Sequence, residues 1–62
     1  MENRLLSMKA KTEALALLTE AVRVFNIEAI ADCMMLLKRM NVPSNEVNGA
    51  ISLGRTKASL GL

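Results

Sequence analysis

The residues that carry acid–base and nucleophilic chemistry are scarce in this chain. It has no histidine and one cysteine, Cys33, whereas such catalysis draws mostly on histidine or on a nucleophile held beside a base. Cys33 falls on the apolar face of a predicted helix with no candidate base beside it, which is typical of a small buried residue. We therefore predict that the chain is not an enzyme.

The remaining polar patterns do not indicate a metal or cofactor site. Glu28 and Asp32 are one turn apart, but their place near a helix N-terminus is typical of a solvated acidic strip. The run 54–57, with sequence GRTK, is too short for a phosphate-binding Walker loop, and no predicted strand precedes it. A structural zinc site needs about four ligands. We expect no cofactor and no bound metal.

The segment 36–51 looks like a helix-turn-helix. Asn41 stands at the turn, where such motifs favour glycine and where asparagine tolerates a left-handed backbone. Val42 and Val47 fall where the motif packs its inner residues, which leaves the outer face of the second helix for DNA. If this segment binds DNA, the chain would be a dimeric helix-turn-helix transcriptional regulator that uses residues 36–55. Its predicted DNA contacts are Ser44, Asn45, Asn48 and Ser52 on that outer face, with Arg55 and Lys57 just beyond it for phosphates.

Three features of the same segment favour an ordinary helical corner. Leu37 stands where the motif usually holds a small residue, and Glu46 places a negative charge near the DNA end of the second helix. The outer face also has no arginine or lysine for paired hydrogen bonds to guanine. Any helical hairpin shows the same apolar spacing, so DNA binding is kept as the alternative function.

The length of the chain indicates that it needs a partner. A domain below roughly 70–80 residues rarely obtains more than ~3–5 kcal/mol from one core, and a disulfide, a metal or oligomerisation usually adds the rest. This chain has 62 residues, half of them hydrophobic, and its single cysteine excludes an intrachain disulfide. Oligomerisation is the remaining means of stabilisation.

Charge and hydropathy set the expected location. The net charge of +2 is small for a nucleic-acid binder, and the apolar residues form neither a secretory signal nor a run of ~20 that could span a membrane. An unpaired cysteine is typical of a reducing compartment. We expect a cytoplasmic protein that does not bind membranes.

Hydrophobic periodicity predicts three helices, at about 2–25, 27–40 and 44–53. The apolar arc of the first covers roughly 200°, where a surface helix typically needs little more than ~100°. Asn26 is predicted to cap the second helix and Asn41 to close it. Ser44 is predicted to cap the third, which we expect to end at Gly54. Residues 55–62 are predicted to be a flexible polar tail.

The predicted fold is all-α: one domain, 1–54, with two long amphipathic helices and a short third. Two wide apolar faces cannot both be covered in a single helical hairpin, so we expect the hairpin to assemble as a homodimeric bundle. The predicted oligomer interface comprises Leu15, Leu18, Val22, Phe25, Ile30 and Leu37. The predicted partner-binding residues are Met34, Met35 and Met40, because thioethers adapt to a partner helix.

Together these features predict a small regulatory protein that acts by protein–protein interaction. The chain would associate with itself and dock an apolar helix face on a larger protein, as antirepressors, anti-activators and adaptors of similar size do. Replacing Leu18 with Asp is expected to abolish both association and folding.

Overall fold

The computed structural model describes the backbone of residues 2–62 and the side chains of residues 8–62. It contains three helices, α1 (Glu2–Arg23), α2 (Ile27–Arg39) and α3 (Ser44–Ser59). Residues 2–62 form no strand. The all-α class is therefore confirmed, with α1 and α2 ending one or two residues before the predicted positions.

A Schellman motif ends each helix. In this motif a residue with a left-handed backbone follows the helix, and two N–H groups donate to carbonyls of the last turn. The left-handed residues are Phe25, Asn41 and Gly61, with φ of 59°, 58° and 75°. After α2, for example, Asn41 N–H donates to Lys38 and Val42 N–H to Leu37, both at 3.0 Å. The predicted role of Asn41 is confirmed.

The start of α2 also follows the prediction. Asn26 is its N-cap residue, and Asn26 Oδ1 accepts a hydrogen bond from the Ala29 N–H at 3.2 Å. Glu28 lies in the first turn and Lys38 and Arg39 in the last, where the helix dipole favours these charges. Local sequence therefore fixes both ends of α2.

The third helix differs from the prediction at both ends. Its N-cap residue is Pro43, without a side-chain capping bond, so Ser44 is the first helical residue and not the cap. The helix continues through Gly54 to Ser59, so the predicted tail is helical up to that residue. Gly54 is buried in the interior of α3 and does not terminate it. Because Gly54 has no side chain, α3 can pack closely against α1 at this position.

Both α2 and α3 pack against α1, which lies at the centre of the fold. The buried core joins Leu18 of α1 and Leu37 of α2, which are fully buried, to Ala50 of α3. A shell of partly buried side chains surrounds them: Leu15, Ile30, Cys33, Met40, Val42, Val47 and Ile51. The wide apolar arc of α1 is therefore covered from two sides within one chain.

Close approach of two backbones characterises the α1–α3 contact. A Cβ atom added at Gly54 would lie 2.6 Å from the Thr19 carbonyl oxygen and 2.7 Å from Val22 Cβ. Thr19 Oγ1 donates to the Leu15 carbonyl at 3.0 Å and to the Ala50 carbonyl at 3.2 Å. Small residues four apart in α3 thus allow the hydroxyl of α1 to reach the backbone of α3.

Candidate functional site: a groove between α2 and α3

Two open cavities follow one another between α2 and α3, of about 450 Å³ near the turn that joins these helices and about 410 Å³ at the opposite end, and they share no lining residue. Together they form a groove along α2. We call it the α2–α3 groove. Its α2 wall comprises Ile27, Ile30, Ala31, Met34, Met35 and Lys38. Its α3 wall comprises Ser44, Val47, Asn48, Ile51, Arg55 and Ala58. Val22, Phe25 and Val42 complete the lining.

The groove exists because α2 and α3 each pack on α1 and barely contact each other. The wall residues of each helix recur at intervals of three and four, so each set forms one continuous stripe. The two stripes face a common space that no other part of residues 8–62 fills. A helix of 13 residues, the length of α2, is about 20 Å long at 1.5 Å per residue, and the groove follows its whole length.

Apolar side chains dominate the groove, with one cation near each end. Lys38 lines the cavity near the turn and Arg55 lines the other. No acidic side chain lines either cavity in the described part of the chain. Met34 is 44% exposed, and Ile27 and Met35 are more exposed still. Exposed apolar surface bordered by charge marks a binding site more often than a solvated face.

Phe25 combines exposure with an unfavourable backbone. It is 78% exposed at the end of the groove, and its φ of 59° lies in the left-handed region. That conformation costs a residue with a Cβ atom roughly 1–2 kcal/mol, and glycine or asparagine usually occupies it. Such outliers persist where the surrounding structure enforces them, often at binding sites. The sequence pattern did not indicate this strain.

Replacing Phe25 with Gly is expected to raise the free energy of unfolding by about 1 kcal/mol, because glycine adopts the left-handed backbone without steric cost. The exposed ring contributes little to the core, so little is lost. Thermal unfolding followed by circular dichroism, at a protein concentration too low for self-association, should show a midpoint about 4–8 °C higher. Phe25→Ala keeps the Cβ atom and serves as the control, with little gain expected. A lower midpoint for Phe25→Gly would show that the ring stabilises the fold.

The predicted oligomer interface is divided between core and surface. Leu18 and Leu37 are fully buried in the chain's own core, so they are not available to a second copy while this fold persists. Val22 belongs to the same core and also lines the groove. The prediction placed all three in the interface because a hairpin of the two long helices leaves one apolar side of each uncovered, and the cover that α3 gives to α1 was not counted. Leu15 and Ile30 are partly buried against the same core, and Phe25 is exposed.

The three predicted partner-binding methionines are divided between the groove and the core. Met34 and Met35 line the α2–α3 groove. Met40 is partly buried against the core and does not line the groove. The α3 wall was missed, although Val47, Ile51 and Arg55 follow one another at intervals of four residues, which was a usable signal.

Five of the six predicted DNA-contact residues share one exposed face of α3, and Lys57 lies apart from them. Asn45, Asn48, Ser52 and Arg55 are exposed on α3, as is Ser44 at its start. Lys57 is only partly exposed, and its charge acts on Glu20 of α1, where it contributes to a lowered pKa of that carboxylate after the larger effect of Arg23. Glu46, which counted against DNA binding, forms an ion pair with Lys11 of α1 at 2.8 Å.

Among residues 8–62, the polar side chains outside the groove include no activated nucleophile or metal-binding group. Burial, and to a lesser degree the charge of Asp32, raises the pKa of the Cys33 thiol. The thiol therefore stays protonated near neutral pH and is a poor nucleophile. Within the described part of the chain, no three His, Cys, Asp or Glu side chains are grouped to hold a metal ion.

Comparison with known proteins assigns no function to this chain. Among the described residues, no helix has the length and apolar character needed to cross a membrane. Comparison of the chain with protein-family models, with curated proteins and with solved structures finds no match. The geometry of the groove is therefore the basis for a functional proposal.

Proposed function

We propose that this chain is a small non-enzymatic regulatory protein that binds other protein chains through the α2–α3 groove and works as a homodimer or small oligomer. The observation that supports this function is the groove itself, two mainly apolar cavities in succession along α2 with exposed Met34, Met35 and Ile27 along one wall. Antirepressors, anti-activators and adaptors are regulators of this kind. A cytoplasmic setting belongs to the proposal, because a lone cysteine stays reduced there.

An α-helix is the ligand that best fits this shape. An amphipathic helix lays its apolar side chains into a hydrophobic groove at intervals of three and four residues, and both walls of the groove have that spacing. Methionine side chains adapt to irregular partner surfaces. An extended strand would instead need an unpaired sheet edge, and residues 2–62 contain no strand.

The DNA-binding alternative has weaker support. Arg55 is the one lysine or arginine among the predicted contacts that lies on the exposed face of α3 within the described residues. A DNA-binding surface normally carries several cations, because binding to phosphates supplies most of the affinity. The pairing of Glu46 with Lys11 removes one objection to this function but adds no positive charge to the face.

Photo-crosslinking tests whether the groove binds protein. We expect benzoylphenylalanine in place of Met34 to form a covalent adduct with a discrete protein when the chain is irradiated in the cells that encode it. The reason is that Met34 lines the groove, so an occupant would lie against the probe. The adduct would be identified by its mass and by peptide sequencing.

Leu53 provides the matched control, since it is 49% exposed, close to the 44% of Met34, and does not line the groove. The same probe at position 53 should give no discrete adduct. Equal labelling from both positions, or none from position 34, would contradict the proposed function.

A further inference from the structure

We propose that the occupant of the α2–α3 groove is α2 of a second copy of this chain, packed antiparallel to the first α2 across a two-fold axis. This inference rests on the proposed function and names the partner of the same site. Three features of the described residues support it: the charges along α2, the sizes of its exposed side chains, and the position of Phe25.

The charges of α2 are divided between its two ends. Glu28 and Asp32 lie in its first half, and Lys38 and Arg39 in its last turn. None of these four takes part in an ion pair within residues 8–62, where the ion pairs are Lys11–Glu46 and Arg23–Glu20. Glu28 and Asp32 lie on the exposed strip of α2 beside its groove wall, and Arg55 of α3 lines the same end of the groove. Antiparallel pairing with an identical helix brings the acidic half of each α2 against the basic half of the other. It also places opposite ends of the two helix dipoles together.

The register follows from full overlap of the two helices. Cys33 is the middle residue of α2, Ile27–Arg39, so a two-fold axis beside Cys33 aligns both helices end to end. Lys38 of one copy then lies level with Glu28 of the other, and Met35 lies level with Ala31. A long thioether therefore meets the smallest side chain of the α2 wall, which is the large-with-small pairing that close helix packing needs.

In the same register, the exposed Phe25 ring of each copy lies close to an apolar cavity of the other copy. Phe25 of one copy is level with Asn41 of the other, next to Val42, which lines the cavity of about 450 Å³ together with Ser44 and Val47. An exposed aromatic side chain that fills an apolar pocket is a common anchor of protein interfaces. The two-fold axis places one such ring at each end of the interface.

Charge reversal in separate chains tests the pairing of Glu28 with Lys38. The wild-type chain should sediment as a dimer at micromolar concentration. Glu28→Lys and Lys38→Glu should each weaken dimerisation about tenfold, because two like-charged pairs form in each homodimer. An equimolar mixture of the two variants should recover association to within about threefold of wild type, since both pairs in the heterodimer are again of opposite charge.

Lys9→Glu is the matched control. It makes the same change of charge as Lys38→Glu, on an exposed residue of α1 that lines neither cavity, and should change dimerisation less than about threefold. Circular dichroism of each variant confirms that α2 still folds, so a loss of association is not a loss of structure.

Cysteine crosslinking tests the register independently of charge. In a Cys33→Ser background, Ala31→Cys and Met35→Cys chains are mixed and oxidised with diamide. The disulfide between the two different chains should form faster than either disulfide between identical chains, because positions 31 and 35 are level across the axis. Predominance of the 35–35 disulfide would overturn the proposed register.

The remaining outcomes separate the inference from the proposed function. A wild-type chain that stays monomeric at high micromolar concentration, with Met34 crosslinked to a different protein, would overturn the second copy as occupant and leave the groove as a binding site. A dimer that the mixed variants fail to restore would also overturn the inference. A monomer without any adduct at position 34 would overturn both.

Discussion

Replacing Leu18 with Asp unfolds the chain. Leu18 is 0% exposed, at the centre of the contacts that α1 makes with both other helices. Truncating a buried leucine to alanine already costs about 2–5 kcal/mol, and an unpaired buried carboxylate costs more. Domains of this size obtain roughly 3–5 kcal/mol from one core. We expect the helical circular dichroism signal to be lost and no cooperative thermal transition to remain.

Leu17→Asp is the matched control for this prediction. Leu17 is the preceding residue and is 59% exposed, so the same substitution there should change the free energy of unfolding by less than about 0.5 kcal/mol. A Leu18→Asp chain that kept a helical spectrum and a cooperative transition would contradict the core described above. Because Leu18 packs within its own chain, the loss should not depend on protein concentration.

Replacing Gly54 with Ala is expected to lower the free energy of unfolding by about 1–3 kcal/mol, the usual cost of overpacking a core. The added Cβ atom would lie within 3 Å of the Thr19 carbonyl oxygen and of Val22. The oxygen belongs to the backbone of α1 and cannot rotate away, so the two helices must separate. Chemical denaturation followed by circular dichroism measures the change.

Gly49 supplies a control within the same helix. A Cβ atom added there meets nothing within 4 Å, so Gly49→Ala should raise the free energy of unfolding by about 0.5–1 kcal/mol through helix propensity alone. The two substitutions should therefore have opposite signs. A stabilising effect of Gly54→Ala would show that α1 and α3 do not approach as closely as described.

Local signals in the sequence predicted the existence of the helices and most of their ends. Asn26 and Asn41 act within a few residues of themselves, through a capping bond and a left-handed backbone, so their roles were predictable. From local sequence alone Gly54 looks like a residue that ends a helix, because glycine often follows the last helical turn. Its actual role depends on Thr19 and Val22, which lie more than 30 residues earlier in the chain, and local propensity contains no information about that contact.

The groove was predictable only in part. The exposure of Met35 follows from its place beside the charged strip of α2, which the helical spacing gives. Spacing also indicated the part of the opposite wall that precedes Gly54, whereas a helix ending at Gly54 would lack Arg55 and Ala58. The burial of Leu18 and Leu37 depends on how three helices share one core. Spacing shows which side chains share a face but not which neighbour covers that face.

The α1–α3 contact also constrains when the chain can fold during its synthesis. The residues that cover Thr19 and Val22 of α1 lie in α3, about 30 residues further along the chain. A ribosome completes α1 first, and this apolar surface then stays uncovered until α3 emerges. The nascent chain therefore exposes its first helix to chaperones and proteases throughout that interval, and the fold forms late, with α3.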